Sequence, residues 1–151
     1  MEKIIQKFIK EFTDRNKRAD YVLDFYNNAI CYKNMALYRC DLRMFNYDYM
    51  VAHDIKMSDF TYIINEKNTT YDLEYDCIRR LDGLNIISYN LDNMFISVGE
   101  KLVKLVDNFK YVRGVSPYSI VKYYDEDNNI IAYILPVKYK RWHNDRQRKT
   151  T

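Results

Sequence analysis

Two apolar runs, YSIVKYY at residues 118–124 and IIAYILPV at 130–137, flank the polar segment DEDNN. Paired β-forming runs around a short acidic turn predict an antiparallel hairpin. The second run carries Pro136 near its end. Proline cannot donate to a sheet ladder, so it belongs on an edge, at a bulge or at a strand end. This end of the chain is therefore expected to be sheet, with its last strand stopping at Pro136.

The remaining periodicities alternate between helix and strand. Ile4, Ile5, Phe8, Ile9 and Phe12 form one stripe at helical spacing, opposite lysines and glutamates, and predict an N-terminal amphipathic helix. The pattern loosens over residues 13–18. Tyr21, Leu23 and Phe25 then alternate with Val22, Asp24 and Tyr26, which leaves a strand or a continued helix open. From Ala29 to His53 short runs of β-formers predict strands, with Asn34 at the first turn.

Residues 58–81 leave both readings open. Phe60, Tyr62 and Ile64 alternate like a strand, whereas Leu73, Cys77, Ile78 and Leu81 are spaced like a helix stopping at Gly83, and the same segment YDLEYDCIRRL also reads as a strand with its charges outward. Leu84 to Tyr89 is a short apolar strand. Ser97 and Glu100 then form an S-x-x-E capping box, and Val98, Leu102, Leu105, Val106 and Phe109 form a stripe, so a helix over 98–109 is expected. The sum is an α+β domain with helices on a largely antiparallel sheet. The expected division is one domain over residues 1–137 and a basic C-terminal tail over 138–151.

Composition narrows the class. A chain of 151 residues, 48% hydrophobic and 30% charged, suits one packed domain. Only three glycines and two prolines argue against disorder and against glycine-dependent phosphate loops. No run reaches the ~18 apolar residues of a membrane span. The opening MEKIIQKFIKEF lacks the apolar core of a signal peptide, so a cytoplasmic location is expected. Cys31, Cys40 and Cys77 make no CxxC pair, and an odd count fits reduced thiols.

Charge is uneven. Residues 138–149 hold six cations against Asp145, a net +5, which leaves −2 for the rest of a chain whose formal charge is +3. Lys140, Arg141, Trp142, Arg146, Arg148 and Lys149 are the candidates for nucleic-acid contact. Such a tail is also often a plain solvated terminus.

No dinucleotide, P-loop, zincin or nucleophile-elbow motif is present. His53 beside Asp54 is not a catalytic constellation, and His143 is isolated. The acids 72, 74 and 76, and Asp125, Glu126 and Asp127, suit turns and solvated strands better than a metal. No enzyme, cofactor or metal is expected. Sixteen tyrosines are mostly core or rim residues with the hydroxyl reaching water, with base stacking the rarer use.

The segments FISVGEKLVKLVDNF and SPYSIVKYYDEDNNIIAYILPVKYK resemble the end of a bacterial DNA sliding clamp, most clearly over residues 83–141. Ser116, Pro117 and Ile120 fall where that family has a Ser-Pro-x-x-Ile step. Leu135, Pro136, Val137 and Lys138 match its closing Met-Pro-x-Arg pattern. RCDLRMF at 39–45 is similar to its Thr-Asp-x-x-Arg-Leu strand. The resemblance implies that Leu135, Pro136, Val137 and Lys138, with Tyr139, wall an apolar pocket for partner peptides. It also implies that a one-domain chain would encircle DNA only as a homo-oligomer.

The low glycine content and many Asn, Lys, Ile and Tyr are usual in AT-rich phage genomes. The expected function is a non-enzymatic interaction protein, an inhibitor or adaptor of a host nuclease or replication factor. The alternative is nucleic-acid binding through the tail.

Overall fold

The computed structural model describes residues 1–137. In chain order it contains α1 (Lys3–Glu11), α2 (Arg15–Arg18), β1 (Tyr21–Asp24), β2 (Ala29–Tyr32), β3 (Ala36–Arg39), α3 (Tyr47–Ala52), β4 (Lys56–Met57) and α4 (Thr61–Ile64). There follow β5 (Tyr71–Asp72), β6 (Glu74–Leu81), β7 (Leu84–Leu91), β8 (Met94–Gly99), α5 (Glu100–Val103), β9 (Tyr111–Gly114), β10 (Val121–Tyr124) and β11 (Ile130–Ile134). The fold is α+β, as the sequence predicts. Among the described residues no helix is long and apolar enough to cross a membrane.

Eight strands form one sheet in the order β4-β1-β2-β3-β11-β10-β9-β5, antiparallel throughout except for β1 and β4. Cross-strand register aligns side chains in rows, and each row shares a face. Leu23, Ile30, Tyr38, Ala132, Tyr123 and Val112 make one such row. It packs under Ile4, Ile5 and Phe8 of α1 and under Tyr89, Ile96 and Val98 of a second sheet. That sheet has three strands, β6-β7-β8. The opposite face of the large sheet holds a smaller core, in which Phe60, Ile63 and Ile64 cover Cys31, Leu37 and Tyr133.

One fully buried carboxylate fastens that smaller core. Asp24 Oδ2 accepts from the backbone N–H of Phe60 at 2.8 Å and from Asn27 Nδ2 at 2.7 Å, while Oδ1 accepts from the Asn27 N–H at 2.9 Å. The turn after β1 thereby holds the start of α4 against the sheet.

The C-terminal hairpin forms as expected, with β10 paired to β11 and Pro136 just beyond it. Leu135 N–H donates to Met35 O at 2.8 Å, extending the β3 contact. Val137 N–H donates to Ser97 O at 2.7 Å, on the outer edge of β8. Pro136 is buried between these two bonds. The chain leaves one sheet and meets the other at the residue that has no amide hydrogen to satisfy. The strand reading of residues 21–24 and the turn at Asn34, with φ +53°, also hold.

Three expectations fail. Ser97 does not cap a helix, because it lies within β8, opposite Ser88. The helix expected over 98–109 is the single turn Glu100–Val103, entered through Gly99 without a side-chain cap. A capping box is worth about 1 kcal/mol, whereas strand β8 buries Ile96 and Val98 completely, roughly 2 kcal/mol each. The stripe still marks the core correctly, since Val98, Leu102 and Val106 are buried and Leu105 and Phe109 pack against them.

The strands expected to run to His53 stop at Arg39, and residues 47–52 are helical. Asn46 caps α3, its Oδ1 accepting from Tyr49 N–H at 3.1 Å. Residues 58–81, open to both readings, divide into the helical turn α4, where Phe60, Tyr62 and Ile64 alternate like a strand, and the strand β6, the charges-outward option. The signal for β6 is Asp82-Gly83. Both residues have positive φ, and they join Leu81 to Leu84 as a two-residue hairpin turn.

Candidate interaction surface

Of the expected partner-binding residues, Leu135 is exposed beside Met35, Pro136 is buried and Val137 is half-buried. Lys138, Tyr139, Lys140, Arg141, Trp142, Arg146, Arg148 and Lys149 lie outside the described residues. The expected turn role of Asp125 is clear, since its Oδ1 accepts from the N–H groups of Asp127 and Asn129, both at 2.9 Å. Among the described residues no group of three or more His, Cys, Asp or Glu could hold a metal ion.

Two populations stand out among the described tyrosines. Tyr21, Tyr38, Tyr89, Tyr123 and Tyr133 are buried with their hydroxyls engaged. Tyr38 donates to Leu102 O at 2.6 Å, and Tyr89 and Tyr123 meet at 3.0 Å. Burial pushes the Tyr123 hydroxyl far above its ordinary range, so this pair stays neutral. Tyr26, Tyr47, Tyr49, Tyr62, Tyr71, Tyr75 and Tyr118 are exposed.

α3 concentrates the second population. Only Met50 of its six residues is buried, while Tyr47, Tyr49 and Val51 each stand about half exposed, at 57%, 49% and 54%. A helix that served only the core would turn these side chains inward. Their rings are nevertheless held in place. Tyr47 makes an edge contact with Phe25 at 5.6 Å, and Tyr49 stacks on Phe12 at 6.0 Å. His53 follows the helix, its ring 3.9 Å from that of Tyr49. Its Nδ1–H donates to Tyr49 O at 2.9 Å.

A basic groove adjoins this ring cluster. Arg15, Arg18, Ala19, Ala52, His53, Asp54 and Lys56 line about 470 Å³. Arg18 is fixed, with Nε donating to Phe12 O and Nη1 to His53 O, and its guanidinium lies 4.9 Å from the Phe12 ring centre. Arg15 and Lys56 are exposed, and neither makes an ion pair among the described residues. The groove therefore carries three cations against Asp54.

The sequence places Tyr47, Tyr49 and Val51 in a region expected to be strand, where alternation would put all three on one face. The capping residue Asn46 is the local signal for the helix instead. Nothing local brings Arg15 and Arg18 to Lys56. That juxtaposition comes from the parallel pairing of β4 with β1.

No family model matches this sequence, and neither the curated proteins nor the solved structures hold a significant match to it.

Proposed function

We propose that this is a non-enzymatic interaction protein that docks on a protein partner through the exposed side chains that flank α3. The carrying observation is a helix whose aromatic and aliphatic side chains point outward while neighbouring rings keep them ordered. Ordered aromatic anchors lose little conformational entropy on binding, which is why Tyr and Arg dominate interface energetics. The groove of Arg15, Arg18 and Lys56 beside them favours a partner surface that carries carboxylates. Metal-dependent nucleases and polymerases present such carboxylates in a cleft, and a host nuclease or replication factor is the partner class we propose.

The test uses the full chain. Tyr47→Ala and Tyr49→Ala should each weaken capture of the partner about tenfold or more. Tyr62→Ala and Tyr118→Ala, equally exposed elsewhere, should leave it unchanged. Capture should survive nuclease treatment. Equal effects at all four positions would sink the α3 surface.

Nucleic-acid binding is the second reading, favoured by the same cations beside a stacked Tyr–His pair and by the basic tail. Phosphate contacts release counterions, so affinity for single-stranded DNA would fall steeply with salt. Protein docking through α3 is much less sensitive. A salt series with both ligands separates the two.

A further inference from the structure

The two faces of the three-stranded sheet differ. Register sets Tyr89 beside Ile96 and Ile87 beside Val98, on the face that packs against the large sheet. The alternate residues share the other face: Ile86, Ser88 and Asn90 of β7 with Ser97 and Phe95 of β8. A sheet face turned to water carries polar, exposed side chains. Here the middle of that face is closed instead. Ile86 is only 3% exposed, and Ser88 and Ser97 are buried. Ile86 nevertheless belongs to neither hydrophobic core of the described residues. The two ends of the face stay open, with Leu84 58% and Phe95 51% exposed.

The chain delivers a segment to this place. Val137 N–H donates to Ser97 O at 2.7 Å, at the edge of β8. Val137 is half-buried and, like Ile86, lies in neither core. The sequence continues from it as KYKRW, residues 138–142. Passing from β8 over β7 to β6 takes about 10 Å, two strand spacings. Residues 138–142 reach up to about 17 Å when extended, so they can span the face. Tyr139 and Trp142 carry the apolar surface that a buried isoleucine requires. A terminus becomes ordered where it is tied down, and the bond from Val137 to Ser97 supplies the tie.

From this we infer that residues 138–142 cross the outer face of the three-stranded sheet, where Tyr139 and Trp142 cover Ile86 and Ser88. The occupant of the face is thus this chain's own C-terminal segment. Lys138, Lys140 and Arg141 are then carried on a packed segment rather than on a free terminus. The inference does not depend on the α3 surface.

Trp142 is the only tryptophan of the chain, so its fluorescence reads the full-length protein directly. In the folded protein its emission should be blue-shifted, and acrylamide should quench it several-fold less efficiently than in urea. Ile86→Ala removes the side chain beneath it and should raise that quenching about twofold, with circular dichroism unchanged. Position is read with a nitroxide on one introduced cysteine in a Cys77→Ser background, since Cys31 and Cys40 are buried. From Leu84→Cys or Phe95→Cys, at the two open ends of the face, the label should remove most of the Trp142 emission. From Tyr62→Cys on α4, which covers the opposite side of the large sheet, it should not. Labelled Trp142→Phe chains mixed with unlabelled wild-type chains should show no quenching, because the contact lies within one chain. A tryptophan as accessible in the native protein as in urea overturns the inference. So does a label at residue 62 that quenches as well as those at 84 and 95. Quenching that arises in the mixture overturns it too, because it seats the segment on a second copy.

Discussion

Replacing Asp24 with alanine should be among the most damaging single changes outside the apolar core. The carboxylate is completely buried and accepts three hydrogen bonds. Alanine leaves the buried Phe60 N–H without an acceptor, which costs ~1–3 kcal/mol. The two Asn27 bonds are partly buried, and water can replace some of their value, adding about 1 kcal/mol. The sum is about 3 kcal/mol, a large part of the roughly 5–15 kcal/mol that holds a domain together. Asp24→Asn keeps the shape but turns one acceptor into a donor, so about half of that loss is expected. Urea denaturation at neutral pH measures both. Hydrogen exchange supplies the local readout. Protection of Phe60, Ile63 and Ile64 should fall well before that of β10 and β11, because Asp24 holds α4 rather than the central ladder. A loss below ~1 kcal/mol for Asp24→Ala, or a uniform loss of protection, would refute the reasoning.

Three further outcomes follow from particular groups. Among the described residues Ser88 Oγ is buried with no hydrogen-bond partner, so Ser88→Ala should raise stability by about 1 kcal/mol in the same urea assay. Burial alone would raise the Glu11 carboxyl, but bonds from Lys7 at 2.8 Å and from Tyr21 at 2.8 Å outweigh it and hold it below the usual carboxylate range. That contribution is present above the ordinary carboxylate pKa and is lost as pH falls through the lowered value, so Glu11→Gln should flatten the acid limb of the stability curve. Burial pushes the Cys40 thiol up to about 12 and raises that of Cys31. A thiol reagent applied to the native protein at mildly alkaline pH should therefore label half-buried Cys77 first, and label the other two only on unfolding.

The amphipathic stripe of Ile4, Ile5 and Phe8, and the hairpin around DEDNN, were legible from residue order alone. In each, local spacing and burial agree, so no distant contact had to intervene. The stripe from Val98 to Val106 shows where this stops. Its residues are indeed core, but the core side of a strand followed by one helical turn accommodates them as well as a helix does. Pairing with β7 decided between the two. The strand β6 was obscure for a related reason. It is exposed on both faces, so no alternation separates the strand reading from the helical one, and the Asp82-Gly83 turn is what favours the strand. The expected function rested on composition, and composition does not say which tyrosines face outward.

Residue order is enough to specify a tyrosine-rich α+β chain with an N-terminal helix and a C-terminal hairpin ending at Pro136. Long-range packing was needed to put Pro136 where one sheet hands the chain to another. It also brought Arg15 and Arg18 to Lys56, and turned the tyrosines of α3 away from the core. These outcomes depend on pairings between residues far apart in the chain, such as Val137 with Ser97 and Val22 with Lys56. Local periodicity carries no information about such pairings, because each is set by which buried surfaces fit together.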